Sequence, residues 1–465
     1  MRSSLLLMLI ILLTGCGNLT RSDYQRPLLS VPAHWQRTEA LSMTSSQENA
    51  GRWWDRFGDE RLSRVIGQVL ESNNDLAAAA LTLKQARISA GLTGTNISPE
   101  ATLNGSGTHS KALNSGRSQE SYSASLSLSY ELDLWGKLAR VREQSEWEAI
   151  ASEQDYRATI LSTIGTTAQL YWNIALLNQQ MAYQTVSLDI ARQTLAQIES
   201  WQRAGKVGRL DVLQARQTLI SRQNERLALQ QQRALARNAL ALLLNRPPAQ
   251  HSDEAPGLDV RQRIAIDSAT PLAALASRPD LQAAESRLRA ALAGSDAARL
   301  SFYPTLSLQG TLSAGSQIFR QWFSDPLRVV GGSVGAPFIQ WNTVQLTVAQ
   351  ASVKVQQEAV NFRTTAYTAL SEVDNAMEKR LNADEQRDRL LQSLQWGQQR
   401  LTLTASRYRA GAVDYQTLLN AQDTLLDVQN SLAQNQYDYL YATLQLWLAQ
   451  GGNNPQQRIS RHASQ

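Results

Sequence analysis

The sequence predicts a mainly α chain of long helical hairpins that also carries four β-strands, destined for a membrane β-barrel closed together with other copies of the chain. Three observations predict it. Two stretches of 67 residues, Lys137 to Arg203 and Val344 to Ala410, contain no proline and one glycine each, Gly165 and Gly397. Four short segments alternate polar and apolar residues, the clearest being "SYSASLSLSYELDL" (121–134), which does so for fourteen residues. Finally, the chain repeats itself. "NNDLAAAALTLKQA" (73–86) matches "RPDLQAAESRLRAA" (278–291), and "RAGKVGRLDVLQARQTL" (203–219) matches "RAGAVDYQTLLNAQDTL" (409–425). A repeat this long marks a duplicated domain, not a short-period solenoid.

The chain starts with Arg2 and a nine-residue apolar run, Leu5 to Leu13. That is too short to span a bilayer as a helix, which needs ~20 residues, so residues 1–15 read as a secretory signal. Cys16 is the single cysteine, and no intramolecular disulfide framework can form. Its context, Leu13-Thr14-Gly15-Cys16, resembles the bacterial lipobox, which implies cleavage before Cys16 and acylation of that residue. Gly17 follows it where an aspartate would imply retention at the inner membrane. Residues 16–50, polar and holding Pro27 and Pro32, read as an extended tether. The first repeat covers 51–250, with strands at about 101–110 and 121–134 and a hairpin tip at 203–210. A connector (251–276) leads to the second repeat (277–450), with strands at about 305–314 and 327–339 and a tip at 409–416. Residues 451–465 form a polar tail.

Each 67-residue stretch makes a rod of about 100 Å as one helix, too long to bury in a compact globule. It must pack lengthwise against others. Each rod stops at Arg-Ala-Gly, a glycine after a basic last turn, and a return helix follows at Leu210 to Leu244 or Thr417 to Ala449. The strands have the length and alternation of transmembrane strands, about 9–11 residues. Four cannot close on themselves, because bare edges would leave backbone groups unsatisfied in hydrocarbon and the smallest useful barrel has about eight. Two, three or four copies would complete them. The loop "QIFRQWFSD" (317–325), with Phe319, Trp322 and Phe323, suits the membrane–water boundary.

Composition narrows the function. A mean hydropathy of −0.33 excludes a polytopic helical membrane protein. The charge of +5 is spread along helices without a basic block, which argues against nucleic acid as a partner. His34, His109, His251 and His462 have no ligand spacing, and no catalytic motif is present, so no catalytic residue, metal or cofactor is expected beyond lipid on Cys16.

With the lipobox, "YQRPLLSVPAHW" (24–35), "WWDRFGDERLSRVIGQVLESNNDL" (53–76) and "YELDLWGK" (130–137), the chain resembles the outer membrane factors of TolC type, in particular their lipoprotein branch. The resemblance implies a homotrimer whose twelve strands form one outer-membrane barrel above a periplasmic α-helical tunnel. It implies an exit duct for a tripartite efflux system, passing drugs or other small molecules from a proton-driven inner-membrane pump and a periplasmic adaptor to the outside. It also implies that Ala204, Gly205 and Lys206, with Ala410, Gly411 and Ala412, are the tips that meet the adaptor. Tyr408 aligns with a tyrosine that holds the resting tunnel shut through a carboxylate, here Asp211. The chain departs from the pattern in three places. Val413 replaces a gating arginine, "PFIQWN" (337–342) replaces a glycine pair, and Thr417 and Asn420 replace an aspartate ring, leaving Asp414 to carry one. Two other readings stay open: a lipid-anchored periplasmic coiled-coil scaffold without a pore, and a duct for type I protein secretion.

Overall fold

The fold is that of a computed structural model, which describes residues 20–35, 52–248, 250, 252–264, 270–321 and 323–452. Cys16, the signal segment, Trp322, His251 and all of the tail after Gly452 lie outside these residues, as do parts of the tether and connector.

The proline-free stretches become unbroken helices. Before them come α1 (Glu60–Ser72) and α2 (Asn74–Gly94), then strands β1 (Glu100–Lys111) and β2 (Ser118–Leu132). Helix α3 (Lys137–Arg203) has the bounds its sequence suggests, and α4 (Arg209–Leu243) returns from it. The second repeat runs α5 (Pro271–Ser277), α6 (Pro279–Leu300), β3 (Thr305–Ser316), β4 (Leu327–Gly335), α7 (Trp341–Arg409) and α8 (Tyr415–Ala449).

Most boundaries shift by one to three residues from the sequence reading, as where β2 starts at Ser118 and β3 runs on to Ser316, and three differences stand out. Strand β2 stops at Leu132, two residues early, because Asp133 accepts the amides of Leu138 and Ala139 and so caps α3 instead of extending the strand. Strand β4 stops at Gly335, not 339. Pro337 has no N–H for the ladder and opens a 3₁₀ turn, Pro337–Ile339. The second rod starts at Trp341, three residues ahead of Val344.

Two compact units divide the chain, each built from parts of both repeats. The first, residues 1–29, 81–155 and 280–365, contains a four-stranded antiparallel sheet in the order β1-β2-β3-β4. Each repeat supplies one hairpin, and β2 pairs with β3 to join them. Beneath the strands, Trp135 donates its indole N–H to the Pro304 carbonyl (2.8 Å) and packs on Tyr303. Gly136, at φ 80°, turns the chain into α3. Within the same unit Arg140 and Asp296, 7% and 3% exposed, form a buried ion pair at 2.7 Å. The N-terminal segment closes over it: Ser22 donates its amide (2.9 Å) and hydroxyl (2.6 Å) to Asp296, and Thr20 donates its hydroxyl to the Trp135 carbonyl. Lower on this strap the Arg289 guanidinium lies 4.1 Å from the Tyr24 ring centroid, and Arg26 lies over Phe362.

The second unit, residues 30–80, 156–279 and 366–465, holds the larger apolar core. Asp59 caps α1 through the amides of Arg61 and Leu62, turning Val65, Ile66 and Val69 inward. Its other oxygen accepts the Tyr171 hydroxyl at 2.8 Å. Around this point Trp53 meets Trp447 edge-on (5.1 Å) and Phe57 meets Trp172 (4.8 Å), so aromatic burial fastens the segment before α1 to α3 and α8.

Candidate functional site: an apolar sheet face and two hairpin tips

The sheet register aligns the apolar parity of β1, β2 and β3, and β4 adds Val330 and Val334 to that face while its Leu327 and Val329 fall on the other. Leu126 stands opposite both Leu103 and Leu312, Leu128 opposite Ala101, Tyr130 opposite Leu308, and Leu132 opposite Leu306. Directly opposed residues share a face, so Leu103, Leu126, Leu128, Leu308, Leu312, Val330 and Val334 form one apolar surface. It is not covered: Leu103 is 77% exposed and Val330 74%. The opposite face carries Thr102, Asn104, Ser106, Ser123, Ser125, Ser127, Gln309 and Thr311, with a Ser106–Ser123 hydroxyl contact of 2.8 Å. An exposed apolar surface backed by a wet one suits a strand set between lipid and water. Among the described residues β1 and β4 each pair on one side only, and no helix is long and apolar enough to cross a membrane.

The tips belong to the second unit and are built alike. In the first, Gly205 at φ 72° donates to the Gln202 carbonyl (2.9 Å) and Lys206 to that of Trp201 (2.8 Å). In the second, Gly411 at φ 73° donates to Tyr408 (3.0 Å) and Ala412 to Arg407 (2.9 Å). Both are Schellman stops, which need a left-handed residue after the helix. A Cβ at either glycine would meet nothing within 4 Å, so conformation and not space demands glycine.

The return helices start by different devices. Asp211, in the first turn of α4, reaches back to accept the Gly208 amide at 3.2 Å. Asp414 is the N-cap of α8, accepting from the Thr417 amide (2.8 Å) and hydroxyl (2.5 Å). Those two bonds hold the Asp414 carboxyl below its ordinary range. The carboxylates that the sequence places at the gate are therefore both engaged in capping, and Thr417 is tied to Asp414.

Between the tips lies a small core of Ile198, Val212, Ala215, Tyr408, Tyr415 and Leu418, with Trp201 and Val413 packed against it. The Tyr408 ring sits 5.3 Å from Trp201 and 6.2 Å from Tyr415. Tyr408 is 8% exposed, and its hydroxyl finds no hydrogen-bond partner. Burial, and then the nearby Asp211 carboxylate, push this phenol up to about 12. The structure thus brings Tyr408 and Asp211 into electrostatic reach without a hydrogen bond. Val413 adds apolar packing where an arginine would add charge.

Sequence reasoning missed the ion pair that joins the hairpins further from the tips. Arg222 of α4 reaches Asp423 of α8, and Glu225 holds the same guanidinium at 3.0 Å. Gln184 of α3 donates to the Arg222 carbonyl (3.0 Å) and to Glu225 (2.8 Å). Burial raises the Asp423 carboxyl above the usual range, against the lowering effect of Arg222. Position 217, the counterpart of Asp423 in the first repeat, is glutamine, so the duplication gave no signal for it. Among the described residues no three His, Cys, Asp or Glu side chains are grouped to hold a metal ion.

Residues 65–246 and 271–452 each match the family model described as outer membrane efflux protein. The pyoverdine export outer membrane protein OpmQ of Pseudomonas putida is 31% identical over 439 residues, covering 91% of this chain and 92% of its own. The cation efflux system protein CusC of Escherichia coli O6:H1 is 30% identical, over 95% of this chain and 96% of its own. A crystal structure of CusC superposes with a TM-score of 0.78 at 28% identity, covering 93% of this chain and 99% of that one.

Proposed function

The chain belongs to the outer membrane efflux protein family, and we propose that three copies of it form an outer-membrane exit duct, each giving its four strands to one barrel and its helical hairpins to a tunnel through the periplasm. The observation that carries this reading is the aligned apolar face of a four-stranded sheet with two unpaired edges. Such a sheet is unstable in hydrocarbon alone, since each unsatisfied backbone group costs several kcal/mol, and other copies of the chain remove the edges. The Ser/Thr/Gln face then lines water.

A tunnel moves nothing uphill by itself, so an inner-membrane pump, proton-driven, supplies the energy, and a periplasmic adaptor joins the two at the hairpin tips. Ala204, Gly205, Lys206, Ala410, Gly411 and Ala412 are the contact residues. The names of the relatives, pyoverdine export and cation efflux, favour small solutes over folded proteins as cargo. At rest the tips are held by the packed ring of Tyr408, with Asp211 and Asp414 fixing the turns beside it. Cys16 carries the lipid. Thr20 is fastened to the Trp135 carbonyl at the end of the sheet, and four residues of chain reach at most about 14 Å, which keeps an acylated Cys16 close to the strands. Purified protein in a planar bilayer should give stepwise currents. A protein that binds the bilayer and never conducts would be a scaffold, and the duct reading would fall. Affinity capture of pump and adaptor from cross-linked cells identifies the partners.

A further inference from the structure

The two ends of the sheet treat their charges differently. Where the strands meet the helices, Glu131 is paired with Lys137 at 2.6 Å and Asp133 caps α3. At the opposite end, in the two hairpin loops and the strand residues beside them, Lys111, Arg117, Arg320 and Arg328 are all exposed. None of these four cations is ion-paired to a carboxylate among the described residues, whereas arginines elsewhere in the chain repeatedly are, as at Arg140–Asp296 and Arg237–Glu254. The region holds two carboxylates, Glu120 and Asp325. Glu120 is already taken by His109 (3.4 Å) and the Tyr122 hydroxyl (3.1 Å).

The register decides where two of these cations lie. Arg328 stands opposite Leu312, on the apolar face, in line with Val330 and Val334. Lys111 shares the parity of Leu103, Gly105 and Gly107, again on the apolar face, beyond the point where its residues turn polar. Tyr122 on that face stacks edge-on with Phe319 at 5.3 Å, and Arg320 follows Phe319 in the same 3₁₀ turn, Phe319–Gln321. An aromatic pair with unpaired cations beside it, on a face otherwise fit for hydrocarbon, is the chemistry of a headgroup boundary. A guanidinium in the apolar row must extend its head to that boundary, and there it meets the anion that matches its fork, a phosphate.

Resting on the duct reading, which puts this face against lipid, we infer that the loop end of the sheet is a binding surface for phosphorylated lipid headgroups, with Arg328 and Arg320 as its principal anion ligands and Lys111 and Arg117 adding charge. The partner is a lipid of the outward-facing leaflet, and its phosphates supply counter-ions to the four cations that no carboxylate pairs among the described residues.

The test uses the full-length protein reconstituted into phosphatidylcholine vesicles containing 10 mol % of a bis-phosphorylated lipid A, with conductance measured first. Lipid A co-purifying with the protein after re-extraction is then counted by native mass spectrometry. The arginine pair should raise retention of lipid A over phosphatidylcholine, and R328Q/R320Q should lower that preference at least about fivefold, since each cation near an anionic surface contributes appreciably. The control K379Q/R400Q removes two exposed helix cations and should leave it unchanged. Equal preference in wild type and R328Q/R320Q overturns the site, as does an equal fall in the control. Elution of lipid A by millimolar inorganic phosphate would also overturn it, by showing a general anion surface. A wild-type protein that never conducts sinks the duct reading and this site together, whereas a conducting protein without lipid preference sinks this site alone.

Discussion

Replacing Tyr408 by phenylalanine and by alanine separates a hydrogen-bonded gate from a packed one. The Tyr408 hydroxyl is buried without a partner, so deleting it removes a desolvation cost of about 1–3 kcal/mol and breaks no bond. Phenylalanine keeps the ring against Trp201 and Tyr415. Y408F should therefore be at least as stable as wild type and remain closed at rest. Alanine takes away the ring from a residue only 8% exposed, and about 3–5 kcal/mol of local packing goes with it. Y408A should loosen the tips and raise the resting current. Because burial lifts the phenol to about 12, neither behaviour should depend on pH between 6 and about 10 through this residue. Single-channel recording in planar bilayers, with thermal unfolding of the same preparations, reads both effects. If Y408F opened the channel as far as Y408A, a hydroxyl bond would be holding the gate, and the packing argument would be refuted.

Three further outcomes can be measured. G205A and G411A should each cost about 1–2 kcal/mol in thermal unfolding, since both glycines sit near φ +72°, whereas G105A in a strand, with open space around its Cβ position, should be close to neutral. Asp414 has a folded-state pKa below its unfolded one, so its cap stabilises above the ordinary aspartate range and is lost as pH falls through the depressed value. D414N should keep the cap and flatten the acid limb of the stability profile below about pH 4, followed by circular dichroism. D296A takes one of two carboxylates from the buried Arg140 guanidinium, which keeps Glu143, and releases Ser22. A loss of about 1–3 kcal/mol and faster proteolysis within residues 20–29 should follow, while proteolysis at the wild-type rate would show that the strap is held elsewhere.

How far the chain could be read depended on the range of the interactions. Period and proline content placed α3 at Lys137–Arg203 without error, because helix continuity is set by each residue and its neighbours four away. Strand parity was equally visible in β1, β2 and β3, and the register kept their apolar sets on one face, whereas β4 places Leu327 and Val329 on the other. The misplaced ends, Leu132 and Gly335, failed at residues with a second use. Asp133 looks like the next polar position of a strand but is bonded to amides of the following helix. The candidate gate showed the same limit. Glycine stops at 205 and 411 were legible from composition, but whether Tyr408 and Asp211 bond depends on where two helices from different repeats come to rest.

The sequence by itself determined the elements, their duplication and the need for more than one copy, since alternation, proline-free length and an unclosable strand count are all properties of the chain. Only the tertiary structure decided which side chains meet. It gave Asp414 and Asp211 to helix caps, left the Tyr408 hydroxyl unbonded, paired Arg222 with Asp423 across the repeats, and set Arg328 among leucines and valines. The physical reason is that an ion pair or a ring contact between residues two hundred positions apart leaves no period in the chain. It depends on helix rotation and strand register, which the packing of the whole unit settles.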